Sequence, residues 1–127
     1  MKIIGTGVDI VENSRIKKSI LNKSFLYRVF TNEEILISKN IKNKPNYFAK
    51  RFAAKEAFAK SLGTGFRNDF NFKDISVVND KLGKPSFFIT KKIKNMIKKK
   101  FKTSSFNFFL SISDEKKYSI AFVILQK

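Results

Sequence analysis

Residues 3–12 read as a strand with two faces: Ile4, Thr6, Val8 and Ile10 point one way, and Ile3, Gly5, Gly7, Asp9 and Val11 the other. Asp9 therefore shares a face with two glycines. Thr31 stands three residues before Glu34, a capping-box spacing, and the apolar Ile35, Leu36 and Ile37 follow, so a short helix starts there. Pro45-Asn46 ends the next loop, Asn46 caps a long helix over residues 47–62, and Gly63 stops it. Residues 72–79 read as a strand, and the turn chemistry of 79–85 leads into a partner strand over 86–89. Between 90 and 102, Ile93, Met96, Ile97 and Phe101 recur at helical spacing, with seven lysines between and around them. Towards the C-terminus Phe108, Leu110 and Ile112 alternate with Phe109, Ser111 and Ser113. A polar turn at 114–117 then precedes Tyr118, Ile120, Phe122 and Ile124, giving a second hairpin. With no internal repeat and no linker, the pattern predicts one α+β domain over residues 1–127, a mainly antiparallel sheet packed against a long central helix.

Composition narrows the chemistry. The chain contains neither Cys nor His, which excludes thiolate nucleophiles, disulfides, imidazole bases and the usual zinc ligands together. A metal site must then use oxygen ligands, favouring a hard cation such as magnesium held by one or two carboxylates and completed by water or substrate phosphates. Lys and Arg number 27 against 10 Asp and Glu, a formal charge of +17. That charge raises encounter rates with any polyanion, whether nucleic acid, acidic protein or phosphorylated cofactor, although much of the lysine also fits plain solvated surface. Hydrophobic residues make up 43%, and no apolar run approaches the roughly 18 to 20 residues that a membrane-spanning helix needs. The expectation is a soluble protein. Because Met1-Lys2 passes directly into a strand-like segment without the regions of a secretory signal, a cytoplasmic location is expected.

In the long helix Phe48, Phe52, Glu56 and Lys60 follow one another at four-residue steps, so a carboxylate and an ammonium extend a row begun by two phenylalanines. Two readings of Glu56 stay open: an ordinary i,i+4 pair with Lys60, or a ligand. Asp9 is likewise either a hydrogen-bonded strand-end aspartate or a ligand. The flanking Gly5 and Gly7 leave its face unfilled, as close approach of a ligand would need. Gly63-Thr64-Gly65 and Gly83-Lys84 are compatible with phosphate, but neither matches a P-loop or a dinucleotide fingerprint, and a helix cap and a hairpin turn explain them equally.

Taken in order, these blocks resemble the holo-acyl-carrier-protein synthase family of the 4′-phosphopantetheinyl transferase superfamily. The matching text is Gly5-Thr6-Gly7-Val8-Asp9-Ile10-Val11-Glu12, then Arg51-Phe52-Ala53-Ala54-Lys55-Glu56-Ala57-Phe58-Ala59-Lys60 with Gly63-Thr64-Gly65, then Asn79-Asp80 with Gly83-Lys84-Pro85, and Ser111-Ile112-Ser113. The resemblance implies a phosphopantetheinyl-transferase-like fold in which Asp9 and Glu56 bind Mg2+ together with the pyrophosphate of coenzyme A, and Lys60 faces the same phosphates. It implies catalytic roles for Asp9, Glu56 and Lys60. It implies coenzyme A contacts at Arg51, Lys55, Lys60, Gly63, Gly83, Lys84 and Pro85, and contacts from Arg15 and Arg28 to an acidic acyl carrier protein, in the service of fatty acid biosynthesis. It further implies a homotrimer with sites between subunits, the Ser-Ile-Ser strand coming from a neighbour. One departure is visible: the family usually continues that strand with a histidine, and here Asp114 stands instead. Two rival functions remain to be weighed. One is a basic RNA-binding or ribosome-associated protein, motivated by the charge and by 15 phenylalanines; the other is an inactive paralogue serving as a binding module, motivated by Asp114.

Overall fold

A computed structural model describes residues 1–63 and 70–127 of the chain. Thr64 and Gly65, part of the phosphate-compatible stretch, lie outside the described residues. Strand β1 (Ile3–Glu12) runs into three short helices, α1 (Asn13–Ser19), α2 (Lys23–Val29) and α3 (Asn32–Ser38), and then into the long α4 (Lys44–Ser61). A 3-10 turn (Phe72–Asp74) leads to the β2 (Ile75–Asn79) and β3 (Pro85–Ile89) hairpin, followed by α5 (Lys91–Phe101) and a second hairpin, β4 (Asn107–Asp114) and β5 (Tyr118–Gln126). β1, β5 and β4 form one antiparallel sheet in that order, and β2–β3 forms a separate two-stranded one. The predicted α+β class, antiparallel pairing and long central helix are all present.

The two glycines of β1 decide how the sheet and α4 meet. A Cβ on Gly7 would fall on the Ala57 carbonyl oxygen and lie 2.8 Å from the Ser61 amide nitrogen, and one on Gly5 would fall on the Ser61 carbonyl oxygen. The face expected to be open for a ligand is therefore filled by the backbone of α4. Ala57 and Ser61, both buried, meet these glycines from the helix side. Small residues on both partners let backbone approach backbone, and they bring Glu56 to the strand that carries Asp9.

Several boundaries differ from expectation for local reasons. A register shift between Ile3 and Gly5 turns Ile4 inward and leaves Ile3 exposed, reversing their expected faces. The cap of α4 is Asn43, whose side chain accepts from the Asn46 amide; Pro45 fits the first turn, where no intrahelical donor is needed. Asn46 instead donates its side-chain amide to Asp114 Oδ2 at 2.7 Å. Residues 72–74, expected in a strand, form the 3-10 turn because the Asp74 side chain folds back onto the Asn71 amide. Thr31 and Glu34 do make a reciprocal capping box.

The core has two joined parts. One gathers Phe30, Tyr47, Phe48 and the α4 alanines beneath α1–α3, and the other gathers Phe58, Phe70, Ile93, Ile97 and Leu125 beneath α5. Phe58 is fully buried, with the rings of Phe108, Phe87 and Phe70 at 4.4, 5.0 and 5.7 Å. Among the described residues only Phe88, Phe109 and Phe122 are exposed phenylalanines. The aromatic content thus goes mainly into packing, which removes most of the motive for a base-stacking surface. The outer face of the three-stranded sheet is apolar, with Val8, Ile10, Phe109, Ile120 and Phe122 between 38% and 60% exposed.

Candidate active site

Asp9 points from β1 toward α4, on the same sheet face as Gly7 and Val11. Lys60 Nζ reaches across to donate to Asp9 Oδ1 at 3.3 Å and to the Val8 carbonyl at 2.9 Å. Glu56, one turn earlier on α4, makes no ion pair of its own with Lys60 at salt-bridge distance among the described residues, which removes the simple i,i+4 reading. Burial raises the Asp9 carboxyl above its ordinary range, opposed by the Lys60 hydrogen bond and by the charges of Lys60 and Arg15. Burial and the Asp9 charge raise Glu56, against Lys60 and Arg15. Two half-buried carboxyls, both raised by burial and one also by the charge of the other, with cations facing them, form a site poised for a further positive charge.

A second site lies on the other side of α4. A cavity of about 450 Å³ is lined by Tyr47, Lys50 and Arg51 of α4, Asn79, Gly83 and Pro85 of the β2–β3 hairpin, and Ile112 and Asp114 of β4, together with Ile37, Ile41 and Val77. Arg51 lies over the Tyr47 ring at 3.6 Å from its centroid, an i,i+4 cation–π contact. Its guanidinium donates to Asn79 Oδ1 at 2.7 Å and to the Tyr47 carbonyl at 3.3 Å. Asn79 passes the link on to the Gly83 carbonyl at 3.0 Å. Arg51 is 7% exposed, burial pulls its guanidinium below the usual range, and its Nε has no hydrogen-bond partner. A buried N–H without an acceptor on a cavity wall is a place where an anionic ligand gains most.

The structure sorts the predicted residues into these two sites and a third group. Asp9, Glu56 and Lys60 come together at the β1 edge; Arg51, Gly83 and Pro85 share the cavity. Lys55 belongs to neither. It is fully buried and its ammonium donates to Glu34 Oε1 at 2.6 Å, the Val29 carbonyl at 2.8 Å and the Phe72 carbonyl at 3.1 Å. In this arrangement all three of its donors face inward, away from the cavity in which the coenzyme A contact was expected. Gly63 has a φ of +78° and ends α4, and Gly83 has a φ of +90° in the hairpin turn. Lys84 is exposed, with its backbone amide on Asp80 Oδ1. Arg15 is exposed on α1, where its charge acts on Asp9 and Glu56, and Arg28 is exposed in the last turn of α2.

Tyr47, Lys50 and Asn79 were not singled out as site residues from the sequence. The four-residue step between Tyr47 and Arg51 was the available clue for the first; no periodicity points to Asn79, whose role depends on the hairpin folding back onto α4.

Comparison with known proteins gives these sites a family. A family model described as the 4′-phosphopantetheinyl transferase superfamily matches residues 5–123. The holo-[acyl-carrier-protein] synthase of Pelagibacter ubique is 68% identical over 127 residues, covering 100% of this chain and 99% of the relative. That of Clostridium botulinum is 44% identical over 125 residues, covering 98% of each. Among solved structures, the holo-[acyl-carrier-protein] synthase of Neisseria meningitidis matches at a TM-score of 0.87 and 40% identity, covering 98% of this chain and 99% of that one. The synthase of Bacillus anthracis, in complex with CoA (3′,5′-ADP), matches at 0.81 and 35%, covering 98% and 97%. The chain belongs to the 4′-phosphopantetheinyl transferase superfamily and, within it, to the family of enzymes formed by the holo-[acyl-carrier-protein] synthases.

Proposed function

We propose that this chain transfers the 4′-phosphopantetheine arm of coenzyme A to a serine of an apo acyl carrier protein, in a magnesium-dependent reaction that serves fatty acid biosynthesis. The observation that carries the proposal is the meeting of Asp9 and Glu56 beside Lys60, on a fold whose relatives bind coenzyme A. In the reaction the serine oxygen forms a bond to the β-phosphorus and the pyrophosphate P–O bond breaks. Adenosine 3′,5′-bisphosphate leaves, and the serine hydroxyl proton is released.

The donor set fits magnesium. Among the described residues no cluster of three or more His, Cys, Asp or Glu exists, so the protein offers two carboxylates and leaves the remaining positions to water and phosphate oxygens, the usual pattern for this ion. Asp9 and Glu56 would hold the ion, which when bound supplies charge neutralisation to a diphosphate. Lys60, anchored on the Val8 carbonyl, adds a positive charge to the same place. The cavity around Arg51 is the proposed seat of the nucleotide end of coenzyme A. It offers the free Arg51 Nε–H and Lys50 to phosphate, and Ile37, Ile41, Tyr47 and Pro85 to an aromatic base. Asp114, whose carboxylate could have opposed an anion there, is held by Asn46.

We further propose that the enzyme works as a homotrimer with sites between subunits. Support comes from the apolar outer face of the β1–β5–β4 sheet, which calls for a covering surface. It also comes from the separation of the two half-sites, with α4 between them and the acid pair and cavity at opposite edges of the sheet. Arg15 and Arg28 are proposed contacts for the acidic carrier. Among the described residues no helix is long and apolar enough to cross a membrane; a cytoplasmic location is part of the proposal.

The test is direct. The purified chain with magnesium and coenzyme A is incubated with an apo carrier protein, and the intact carrier mass is measured. Addition of one phosphopantetheine is expected; no mass increase on any of a panel of apo carriers overturns the assignment.

A further inference from the structure

Outside both half-sites, the Glu34 carboxylate, 2% exposed, is buried and fully engaged. Its Oε1 accepts from the Lys55 ammonium at 2.6 Å and from the Thr31 amide at 2.9 Å, and its Oε2 accepts from the Val77 amide of β2 at 2.9 Å. Its own carbonyl accepts from the Tyr47 hydroxyl at 2.7 Å. One residue of α3 therefore ties α4, at Tyr47 and at Lys55, to the strand that begins the β2–β3 hairpin. The cavity is framed by the same two partners: Tyr47 carries Arg51 on its ring, and Arg51 bonds Asn79, two residues beyond Val77 on β2. The Arg51 bridge across the cavity thus has the Glu34 knot as its support on both sides.

We infer that Glu34 is a positioning residue for the coenzyme A half-site: by holding Val77 and Lys55 together it sets the distance between β2 and α4 at which Arg51 and Asn79 meet a ligand. It touches no substrate. This inference rests on the assignment of the cavity to coenzyme A and predicts a particular division of kinetic effects. Loosening the knot weakens coenzyme A binding while the Asp9–Glu56–Lys60 cluster, on the far side of α4, keeps its geometry.

Two variants decide it. In Glu34→Gln the single amide oxygen stays with Lys55 and Thr31, so the NH2 group faces the Val77 N–H and the tie to β2 is lost. In Glu34→Gln combined with Lys55→Met the ammonium is gone. The amide NH2 then turns to the Val29 carbonyl that the ammonium vacated, giving up the Thr31 N–H bond that Oε1 accepted, and the amide oxygen returns to Val77, so that the tie to β2 is restored at the expense of the helix cap. Dissociation constants for coenzyme A are measured by calorimetry, with kcat and KM from carrier modification and folding checked by thermal melts. The single variant is expected to bind coenzyme A about 10-fold more weakly, with kcat at saturating coenzyme A within about 2-fold of the parent. The double variant is expected to recover to within about 3-fold of the parent affinity.

A folded double variant that binds as weakly as the single one, or more weakly, overturns the inference and returns Lys55 to the role of a direct charge contact. A folded single variant with parental affinity also overturns it. If the single variant does not fold, the double variant decides alone by the same criterion. Absence of coenzyme A binding by the parent chain is a different result: it removes the cavity assignment itself.

Discussion

Gly7→Ala tests the contact on which the acid pair depends. Alanine in place of glycine within a strand, considered alone, gains about 0.5 to 1 kcal/mol from backbone entropy. Here the added methyl falls on the Ala57 carbonyl oxygen and within 2.8 Å of the Ser61 nitrogen, and both are backbone atoms of a helix that cannot rotate aside. Relief requires α4 to retreat on the order of 1 Å, at the upper end of overpacking costs, about 3 kcal/mol. The net loss is then about 2 kcal/mol, a large share of the roughly 5 to 15 kcal/mol that stabilises a domain. Glu56 precedes Ala57 and moves with it, so its distance from Asp9 changes by a similar amount, and a misplacement of that size lowers turnover about 100-fold. Urea unfolding gives the first quantity and carrier modification under saturating conditions the second. A variant within about 0.5 kcal/mol of the parent and within about 2-fold in turnover refutes the close-approach account. Gly63→Ala is the control. Among the described residues nothing lies within 4 Å of a Cβ there, but φ is +78°, so the cost is conformational, about 1 to 2 kcal/mol, with no displacement of α4 from β1.

Three further outcomes are expected. Asp9→Asn and Glu56→Gln each abolish transfer yet raise the melting temperature of the metal-free protein slightly, because each removes a half-buried charge that burial disfavours more than its facing cations compensate. In linkage terms, a carboxyl whose folded pKa lies above its unfolded one contributes stability that is complete below the unfolded value and is lost as pH rises through the folded one. Metal-free protein should therefore lose stability as pH rises through the raised pKa values of this pair, and either isostere should flatten that slope in melts followed by circular dichroism. Phe122→Glu, at the centre of the apolar sheet face, should yield monomers in light-scattering chromatography and lose activity although every site residue is intact; an active assembly of parental size contradicts the role given to that face. Mixing inactive Arg51→Ala with inactive Glu56→Ala under conditions that allow subunit exchange should restore part of the activity, since some interfaces then receive one intact half-site from each partner; no recovery in verified mixed assemblies contradicts a shared site.

The sequence made the elements legible where hydrophobic period and turn chemistry agree: β1, the core of α4, α5 and both hairpins. It was silent over residues 13–30, where α1 and α2 are each seven residues long, too short for a period to declare itself. The Asn22 cap, accepting from the Ser24 and Phe25 amides, was the one local clue to α2. Asp9 and Glu56 were legible as chemistry because acids among glycines and phenylalanines are out of pattern. Lys55 shows what adjacency in sequence conceals: a charge beside Glu56 points about 100° away from it around the helix, here into the buried pair with Glu34. Its partner Glu34 looked like a helix cap and nothing more. Gly5 and Gly7 mark a close approach, but a missing Cβ admits a helix backbone as readily as a ligand, and only the fold distinguishes the two.

The row Phe48, Phe52, Glu56, Lys60 shows why one helix can serve two half-sites. Each four-residue step turns about 40° around the axis, so the row drifts by about 120° from its first member to its last. It begins at Phe48, 3% exposed in the core, and ends at Lys60, exposed at the β1 edge. Arg51 and Lys55 share a neighbouring row that does not follow it, and Arg51 stands about 140° from Glu56. A rigid helix therefore holds the Glu56 carboxylate and the cavity arginine at a fixed separation on different sides of its own body. A ligand long enough to use both kinds of contact meets less obstruction when the second set comes from another copy than when it must pass around α4. The alanine and glycine packing that brings Glu56 to Asp9 closes the space between α4 and β1. The same approach that builds the acid pair thus blocks a direct path under the helix, which is the packing reason behind the proposal that the site is shared between subunits.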